Sequence, residues 1–308
     1  MKAILSEQAQ LMDPALETQL LHNPSTLIHR IASRLGDNGV DENWRSEENN
    51  SHIKGSAVVF LLSQLRRRDS EKPELHLVLN KRSKHVLQPG DLCCPGGGLA
   101  ISDHVMAPFM KLPFSPLSKW TGWRQWRARD PRTADRVALL LTTGLREAWE
   151  EMHLNPFSVA FLGPLPVQHL VLFERSIYPL VAWVPDYPRL TPNREVERIV
   201  HIPLRRLLKP QNYCCYRLAF KDDDGVAHRR RDFPCYVHHG RHGTDILWGA
   251  TFRITMDFLK IVFGFRMPEM KTLPVIEGRR RMSYLNGSSW NPLRGDSRKK
   301  TDDPESRP

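Results

Sequence analysis

One short run of the sequence carries three acidic side chains and an arginine at a spacing that a helix would bring together. Within residues 144–154, Glu147, Glu150 and Glu151 stand close to Arg146. Residues three and four apart are neighbours on a helical surface, so the carboxylates would share one face and repel each other. A divalent cation such as Mg2+ or Mn2+ would compensate them, because these ions bind oxygen ligands and substrate phosphates. A solvated acidic face with an Arg146–Glu150 pair is the alternative.

A glycine-rich segment lies upstream of this run. Gly96, Gly97 and Gly98 follow Pro95, close after a predicted strand. Glycine permits backbone conformations and close approaches that other residues do not. Such a loop allows backbone N–H groups to contact a phosphate, so we predict that the three glycines bind substrate. An ordinary tight turn is the alternative.

Together the two features resemble the ends of a Nudix box, in which a glycine pair leads to Arg-Glu-x-x-x-Glu-Glu. Three further segments, in the right order, resemble the coenzyme A pyrophosphatase branch of the Nudix hydrolase superfamily. They are residues 77–83 with the glycine segment that follows, residues 195–204 and residues 247–254. The resemblance extends over roughly residues 55–265.

This resemblance implies an α/β (α+β) Nudix fold, with a mixed β-sheet sandwiched between helices. It also implies an enzyme, a pyrophosphohydrolase that binds Mg2+ or Mn2+ through Glu147, Glu150 and Glu151. Arg146 orients the glutamates in the superfamily, so these four residues are the predicted catalytic set. Arg82, inside the coenzyme A marker, is the predicted substrate contact.

The substrate implied by the resemblance is coenzyme A or acyl-coenzyme A, cleaved to 3′,5′-ADP and (acyl)phosphopantetheine. Two alternatives stay open. One is the same chemistry on another nucleoside diphosphate derivative, such as a dinucleotide, ADP-ribose or a nucleotide sugar. The other is a Nudix-fold module that binds its ligand without cleaving it. A carboxylate from outside the helix often assists, and Glu174, Glu195 and Glu197 are the candidates.

The chain departs from the family pattern at several positions. Leu87 and Cys94 stand where the branch has an arginine and a phenylalanine, and His153 stands where a glycine follows the box. Ala138 occupies the position of the first box glutamate, counted back from the arginine. An insertion, residues 104–136, separates the glycines from the acidic run.

The insertion concentrates positive charge. It contains seven basic and two acidic residues, a net +5, and residues 277–308 add +3 to the total of +11. The rest of the chain is therefore nearly balanced, which disfavours a broad nucleic-acid-binding face. A basic segment beside the predicted phosphate site suits a small phosphorylated ligand, and a solvated loop that keeps the protein soluble is the alternative.

Three tryptophans recur every three residues in the insertion, at Trp120, Trp123 and Trp126. The segment is also rich in proline, which predicts a lid-like loop rather than a separate domain. The tryptophans could stack on an adenine or pack the insertion onto the core.

The predicted organisation has three parts. Residues 1–50 form an N-terminal helical extension and linker, a peripheral helix in the superfamily and a candidate surface for a homodimer. Residues 51–266 form the Nudix domain, and residues 267–308 form a basic, disordered tail. Strands are predicted at 57–62, 75–79, 159–162, 177–184, 196–202, 213–220 and 232–237, the box helix at 133–153 and a last helix at 248–265.

The sequence pattern predicts neither a membrane span nor a targeting signal. No apolar run approaches the roughly 18 residues of a membrane span, and the N-terminus lacks the features of a signal or transit peptide. The five cysteines include two vicinal pairs and no Cys-x-x-Cys spacing. We therefore expect reduced thiols, a cytoplasmic location and no membrane partner.

Overall fold

The computed structural model describes residues 23–38, 44, 54–66, 73–120, 122–170, 175–185, 189–221, 227–281 and 284 of the 308-residue chain. The helices are α1 (Pro24–Asn38), α2 (Ile101–Met106), α3 (Trp123–Arg129), α4 (Pro131–Met152), α5 (Leu204–Leu207) and α6 (Gly249–Phe263). The strands are β1 (Lys54–Arg66), β2 (Pro73–Arg82), β3 (Leu92–Cys93), β4 (Gly96–Gly98), β5 (Ala160–Pro164), β6 (Gln168–Leu170), β7 (Arg175–Val184), β8 (Val196–Pro203), β9 (Tyr213–Lys221), β10 (Ala227–Gly240), β11 (Gly243–Trp248) and β12 (Val275–Arg281).

A mixed eight-stranded sheet forms the centre of the fold. β1 and β7 run parallel in its middle, and β2 lies antiparallel to β1 on one side and to β8 on the other. β5 and β6 pair with β7, and β3 pairs with the end of β2. β4 pairs with β1 in the register Ala57↔Gly97. The glycine segment is therefore a short strand of the central sheet.

Helices cover both faces of this sheet. Successive side chains of a strand point to opposite faces, and β1 follows this rule. Ala57, Val59 and Leu61 pack with α4 on one face, whereas Phe60 and Leu62 pack with α1 and α6 on the other. The structure thus confirms the predicted α+β class, with a mixed sheet between helices.

Helix α1 belongs to the core, so its description as a peripheral helix is wrong. Leu27, Ile31 and Leu35 are fully buried, and α1 packs against β5 and α6. Trp44 is also fully buried, and its indole Nε1–H donates to the Leu165 carbonyl at 2.8 Å. Because the apolar face of α1 is covered by the same chain, it is not free to form a dimer.

The insertion is a helical segment packed on the core, not a lid-like loop. It contains the end of α2, α3, two short 3-10 turns (Ala107–Lys111 and Leu117–Lys119) and the start of α4. Trp120 and Trp123 are buried, and the Trp120 ring meets the Phe161 ring edge-on at 5.2 Å. The tryptophans therefore pack the insertion onto the core, and buried rings of this kind cannot stack on an adenine.

A second sheet, in the order β11-β10-β9-β12, was not separated from the first by the sequence analysis. Tyr213, Tyr236 and Leu247 from this sheet join the core cluster that contains α6. β12 pairs parallel with β9, so the predicted disorder of the tail is wrong for Val275–Arg281. Residues 285–308 lie outside the described residues, as do residues 1–22. None of the described helices is both long and apolar enough to cross a membrane.

Candidate active site

The carboxylate of Glu151 is the most buried acid of the predicted catalytic set. Glu151 is only 9% exposed, and its Oε2 accepts hydrogen bonds from Asn80 Nδ2 at 2.8 Å and from the Gly96 backbone N–H at 3.2 Å. Both donors are neutral groups. Burial raises the pKa of Glu151 to about 7, and the negative charges of Glu147 and Glu195 add to this effect.

Glu147 lies beside the glycine strand. A Cβ atom at Gly97 would overlap the Glu147 carboxylate, so any other residue there would displace that carboxylate from its present position. Gly96 has a φ of +152° and faces the Ala57 carbonyl, which also excludes a side chain. Burial raises the pKa of Glu147, despite the opposing effect of Arg146. The glycines and the glutamates therefore form one continuous site.

Arg146 holds this arrangement together with a set of charge-assisted hydrogen bonds. Its Nε donates to Asp103 Oδ1 at 2.7 Å, and one terminal nitrogen donates to Glu147 Oε1 at 3.0 Å and to the Gly98 carbonyl at 3.0 Å. The other terminal nitrogen lies 3.1 Å from both oxygens of Glu150. Arg146 therefore contacts both Glu147 and Glu150, and its role in orienting them for catalysis stays a prediction. The hydrogen bond to Asp103 is the main cause of the raised pKa of Arg146.

Glu150 differs from the other two glutamates. It is exposed and pairs with Arg146 at the i,i+4 spacing of a solvated helix surface. The alternative of a solvated acidic face thus fits Glu150, whereas Glu147 and Glu151 point towards the glycine strand.

Asp103 is, with Asn80, a site residue that the sequence analysis missed. Its carboxylate, on α2, is only 1% exposed and also accepts from the Ala100 N–H at 2.8 Å and from Thr143 Oγ1 at 2.9 Å. Burial alone would raise the pKa of Asp103, but the hydrogen bonds from Arg146, Ala100 and Thr143 outweigh it, and the pKa is lowered.

Asp103 could have been found from the spacing of the box by counting forward from the glycines instead of back from Arg146. Counted back from Arg146 through α4, the acidic position falls on Ala138, which is fully buried in the core beneath the helix. Counted forward from Gly98, the first acid is Asp103, five residues on. The insertion therefore begins after this acid and leaves its ion pair with Arg146 intact.

The other predicted positions lie around the same site. Arg82 contributes a favourable charge to Glu151, while its Nε donates to the Leu87 carbonyl at 2.7 Å. Among the candidate outside carboxylates, Glu195 acts on the pKa of Glu151, whereas Glu197 pairs with Lys81 at 3.2 Å. Glu174 lies outside the described residues. Cys94 is buried in the core, as expected of a small hydrophobic side chain.

In this structure the polar groups of the glycine strand are used by the protein itself. The Gly96 N–H donates to Glu151 and the Gly98 carbonyl accepts from Arg146. The glycines thus position the glutamates and the arginine, and their predicted contact with a phosphate stays a prediction.

His153 ends α4 in the left-handed conformation, with φ +56° and ψ +33°, at the position where the family has glycine. Its ring Nδ1 lies 2.9 Å from the Thr191 carbonyl oxygen. The helix thus closes in the way a glycine would allow, at the conformational cost of a residue with a Cβ atom.

This cost can be measured by comparing two variants that both remove the ring. His153→Ala is expected to unfold with a free energy about 1 kcal/mol lower than that of His153→Gly, because only alanine keeps the strained Cβ atom. Urea denaturation of the two variants measures the difference. Equal stabilities would show that the helix end changes conformation once the ring is gone.

The donor chemistry of the site suits a divalent cation held by few protein ligands. Among the residues that the structure describes, no group of three or more His, Cys, Asp or Glu side chains converges as a metal site. Mg2+ is commonly bound by one or two carboxylates together with water and substrate phosphates. Glu147 and Glu151 supply two such carboxylates, and Asn80 Oδ1, buried beside Glu151, has no hydrogen-bond partner.

Comparisons with known proteins give structural relatives only. No known protein family matches the sequence, and no curated protein matches it. A Nudix hydrolase from M. smegmatis is 13% identical, with a TM-score of 0.31 over 50% of this chain and 73% of that chain. An Ap4A hydrolase from C. elegans is 10% identical, with a TM-score of 0.30 over 51% of this chain and 84% of that chain.

A third relative is the Nudix domain of NrtR from Shewanella oneidensis, solved with ADP-ribose. It is 13% identical, with a TM-score of 0.31 over 54% of this chain and 84% of that chain. At such identities and scores, the assignment of activity depends on the residues of this chain.

Proposed function

We propose that this chain is a metal-dependent pyrophosphohydrolase of the Nudix type, which acts on coenzyme A or acyl-coenzyme A. The observation that carries the proposal is the burial of Glu151 against two neutral donors, with Glu147 beside it. An acidic helix face that only contacts water has no physical need for a carboxylate whose pKa is raised to about 7. A bound cation would offset the cost of that buried charge.

The residues of the chain have distinct roles in this proposal. Glu147 and Glu151 would hold Mg2+ or Mn2+, with Glu150 as the third predicted ligand. When bound, the cation supplies positive charge that stabilises the phosphate oxygens in the transition state. Asn80 and the Gly96 N–H fix the direction of the Glu151 carboxylate, and Arg146 fixes Glu147.

The reaction itself is a hydrolysis of a phosphoanhydride. Water attacks one phosphorus atom, the bond from that phosphorus to the bridging oxygen breaks, and the second phosphate leaves with the bridging oxygen. The water would be activated either by one of the carboxylates, which would take its proton, or by the bound cation. Glu195 joins the candidate bases because its charge acts on Glu151.

Coenzyme A is the substrate that the marker containing Arg82 favours. The guanidinium of Arg82 lies at the end of β2, near Glu151, where it could bind a phosphate. Other nucleoside diphosphate derivatives are the second candidate, because Leu87 replaces an arginine of the marker. A binding module without turnover is disfavoured, since ligand binding alone does not require a buried carboxylate pair.

Product analysis tests the proposal. Purified protein would be incubated with coenzyme A, an acyl-coenzyme A, NADH, Ap4A or ADP-ribose, each with Mg2+ or Mn2+. Release of 3′,5′-ADP and a phosphopantetheine product supports the coenzyme A proposal. Cleavage of a different substrate instead would keep the proposed chemistry and change the substrate assignment. Ligand-induced thermal stabilisation without cleavage would favour the binding module.

Glu151→Gln is the matching variant for this assay. Its turnover is expected to fall about a thousandfold, as on loss of a group that stabilises the transition state. Circular dichroism and thermal melting check that the fold is kept. Turnover that survives the substitution would show that the assigned site is wrong.

Asn80→Ala tests the support of Glu151. Removal of the Asn80 amide leaves the Gly96 N–H as the remaining donor to Oε2 in the described site. We expect the Mg2+ concentration for half-maximal turnover to rise about 10- to 100-fold, as for other groups that orient a metal ligand.

Asn212→Ala is the control for this experiment. It removes a partly exposed side chain that donates to the Arg206 carbonyl at 3.0 Å, in a turn before β9. Its Mg2+ dependence should match that of the wild type. An unchanged Mg2+ dependence in Asn80→Ala would mean that Asn80 does not support a metal ligand.

A further inference from the structure

An apolar surface lies beside the candidate active site, on the segment that links the glycine strand to the insertion. We name it the apolar rim, and define it by the exposed side chains of Ile101, Val105, Met106, Phe109 and Phe114. Ile101 is 88% exposed and Val105 is 67% exposed. Clusters of large exposed apolar side chains are uncommon on monomeric proteins and mark contact surfaces.

The apolar rim is exposed although its own segment is firmly attached to the core. On the inner side of this segment, Asp103 is bound to Arg146, and Met110, Leu117 and Trp120 are buried in the cluster beneath α4. Ser115 Oγ donates to the Met110 carbonyl at 2.5 Å. The outward side chains are therefore held in place facing solvent, as a built feature of the surface.

Positive charge follows the apolar rim along the chain. Residues 99–132 contain six basic and two acidic residues. Neither acid is exposed: Asp103 is buried, and the partly buried Asp130 caps α4 by accepting from the Thr133 N–H at 3.1 Å. Arg124, Arg127 and Arg129 are exposed on or at the end of α3. The next acid along the chain, Asp135, is exposed but is paired with Lys111 at 2.6 Å. The surface of this segment thus offers apolar side chains and the three arginines of α3.

We propose that the apolar rim and the α3 arginines bind the surface of an anionic lipid bilayer. Apolar side chains enter the boundary between headgroups and acyl chains, while arginines meet the anionic headgroups. Such a contact is peripheral and requires no spanning helix. It differs from the expectation that the protein has no membrane partner, which stays a prediction, and it is independent of the substrate that the active site cleaves.

Co-sedimentation with vesicles tests this contact. The full chain would be mixed with vesicles of phosphatidylcholine alone, or of phosphatidylcholine with phosphatidylserine, at low salt. Wild-type protein is expected to bind the anionic vesicles and to be released by high salt, which screens the charges. In the Val105→Ser, Phe109→Ser double variant the partition coefficient should fall about tenfold. In the Arg124→Gln, Arg127→Gln double variant it should fall roughly thirtyfold.

Val275→Ser is the matched control, because Val275 is 48% exposed but lies on β12 of the second sheet. It should bind vesicles like the wild type, and thermal melting should show that all variants are folded. Failure of the wild type to bind anionic vesicles would overturn the proposal, as would equal binding to neutral vesicles. Concentration-dependent self-association that is lost in Val105→Ser, Phe109→Ser, without lipid binding, would assign the rim to a second copy of the chain.

Discussion

In metal-free buffer at pH 8, the Glu151→Gln variant is expected to unfold with a free energy about 3 kcal/mol higher than that of the wild type. The reason is the pKa of Glu151, which burial raises from its ordinary value of 4.5 to about 7. Above pH 7 the folded wild type holds a buried carboxylate that would be more stable in water. Glutamine has no charge to bury, and its side-chain carbonyl can accept the same hydrogen bonds from Asn80 and Gly96.

The pH dependence follows from the same shift. A raised pKa in the folded state means that the protonated form of Glu151 favours folding below pH 4.5, and that this contribution is lost as the pH rises through 7. Urea denaturation at pH 4.5 and pH 8, with EDTA, should therefore show similar stabilities at the lower pH and a large difference at the higher one. A difference that does not depend on pH would contradict a buried, titrating carboxylate.

Addition of metal should narrow or reverse the difference in stability between Glu151→Gln and the wild type. Ions that bind only the folded state stabilise it by an amount that grows with the logarithm of their concentration relative to the dissociation constant, and the wild type keeps both carboxylates for binding them. Saturating Mn2+ at pH 8 is expected to raise the melting temperature of the wild type and to leave that of Glu151→Gln nearly unchanged. Glu277→Gln, at an exposed side chain on β12, is a control that should respond to Mn2+ like the wild type.

The periodicity of the sequence predicts the parts of the fold that depend on local pattern. The short apolar run in β1 indicates a strand buried on both faces, because such strands are continuous apolar runs of four to eight residues. The spacing of Glu147, Glu150 and Glu151 indicates a helix, in which neighbours on one face are three to four residues apart. The box helix was predicted at 133–153 and extends over Pro131–Met152. Arg146 beside the glutamates likewise follows from helical spacing.

Contacts between distant segments could not be predicted in this way. Asn80 meets Glu151 across 71 positions of the chain, and Asp103 meets Arg146 across 43. Neither residue carries a local signal of its role: Asn80 is one polar residue in an apolar strand, and Asp103 lies near a long insertion. Trp44 looks like part of a polar linker, yet it is fully buried, and the segment after β5 offers its indole N–H a carbonyl acceptor at Leu165.

The ion pair between Asp103 and Arg146 predicts the second large effect. Arg146→Met is expected to lower the free energy of unfolding at pH 7 by about 3 kcal/mol, because it leaves the buried Asp103 carboxylate without its cation. The hydrogen bonds from Ala100 and Thr143 remain and moderate the loss. In the wild type the lowered pKa of Asp103 contributes stability above its ordinary value of 3.8, and this contribution disappears as the pH falls through the lowered pKa.

A second substitution separates the effect of the unpaired Asp103 carboxylate on stability from the effect of losing the arginine side chain. In Asp103→Asn, Arg146→Met the buried group is neutral, so most of the stability should return, while metal-dependent turnover should stay low because Glu147 has lost its contact with Arg146. Arg124→Met removes an exposed arginine from α3 and should change stability by less than about 0.5 kcal/mol. Urea denaturation of the four proteins at pH 7 gives the comparison. If the double variant is no more stable than Arg146→Met, the arginine stabilises the fold through its packing and its contacts with Gly98 and Glu150, and Asp103 is not the group that requires it.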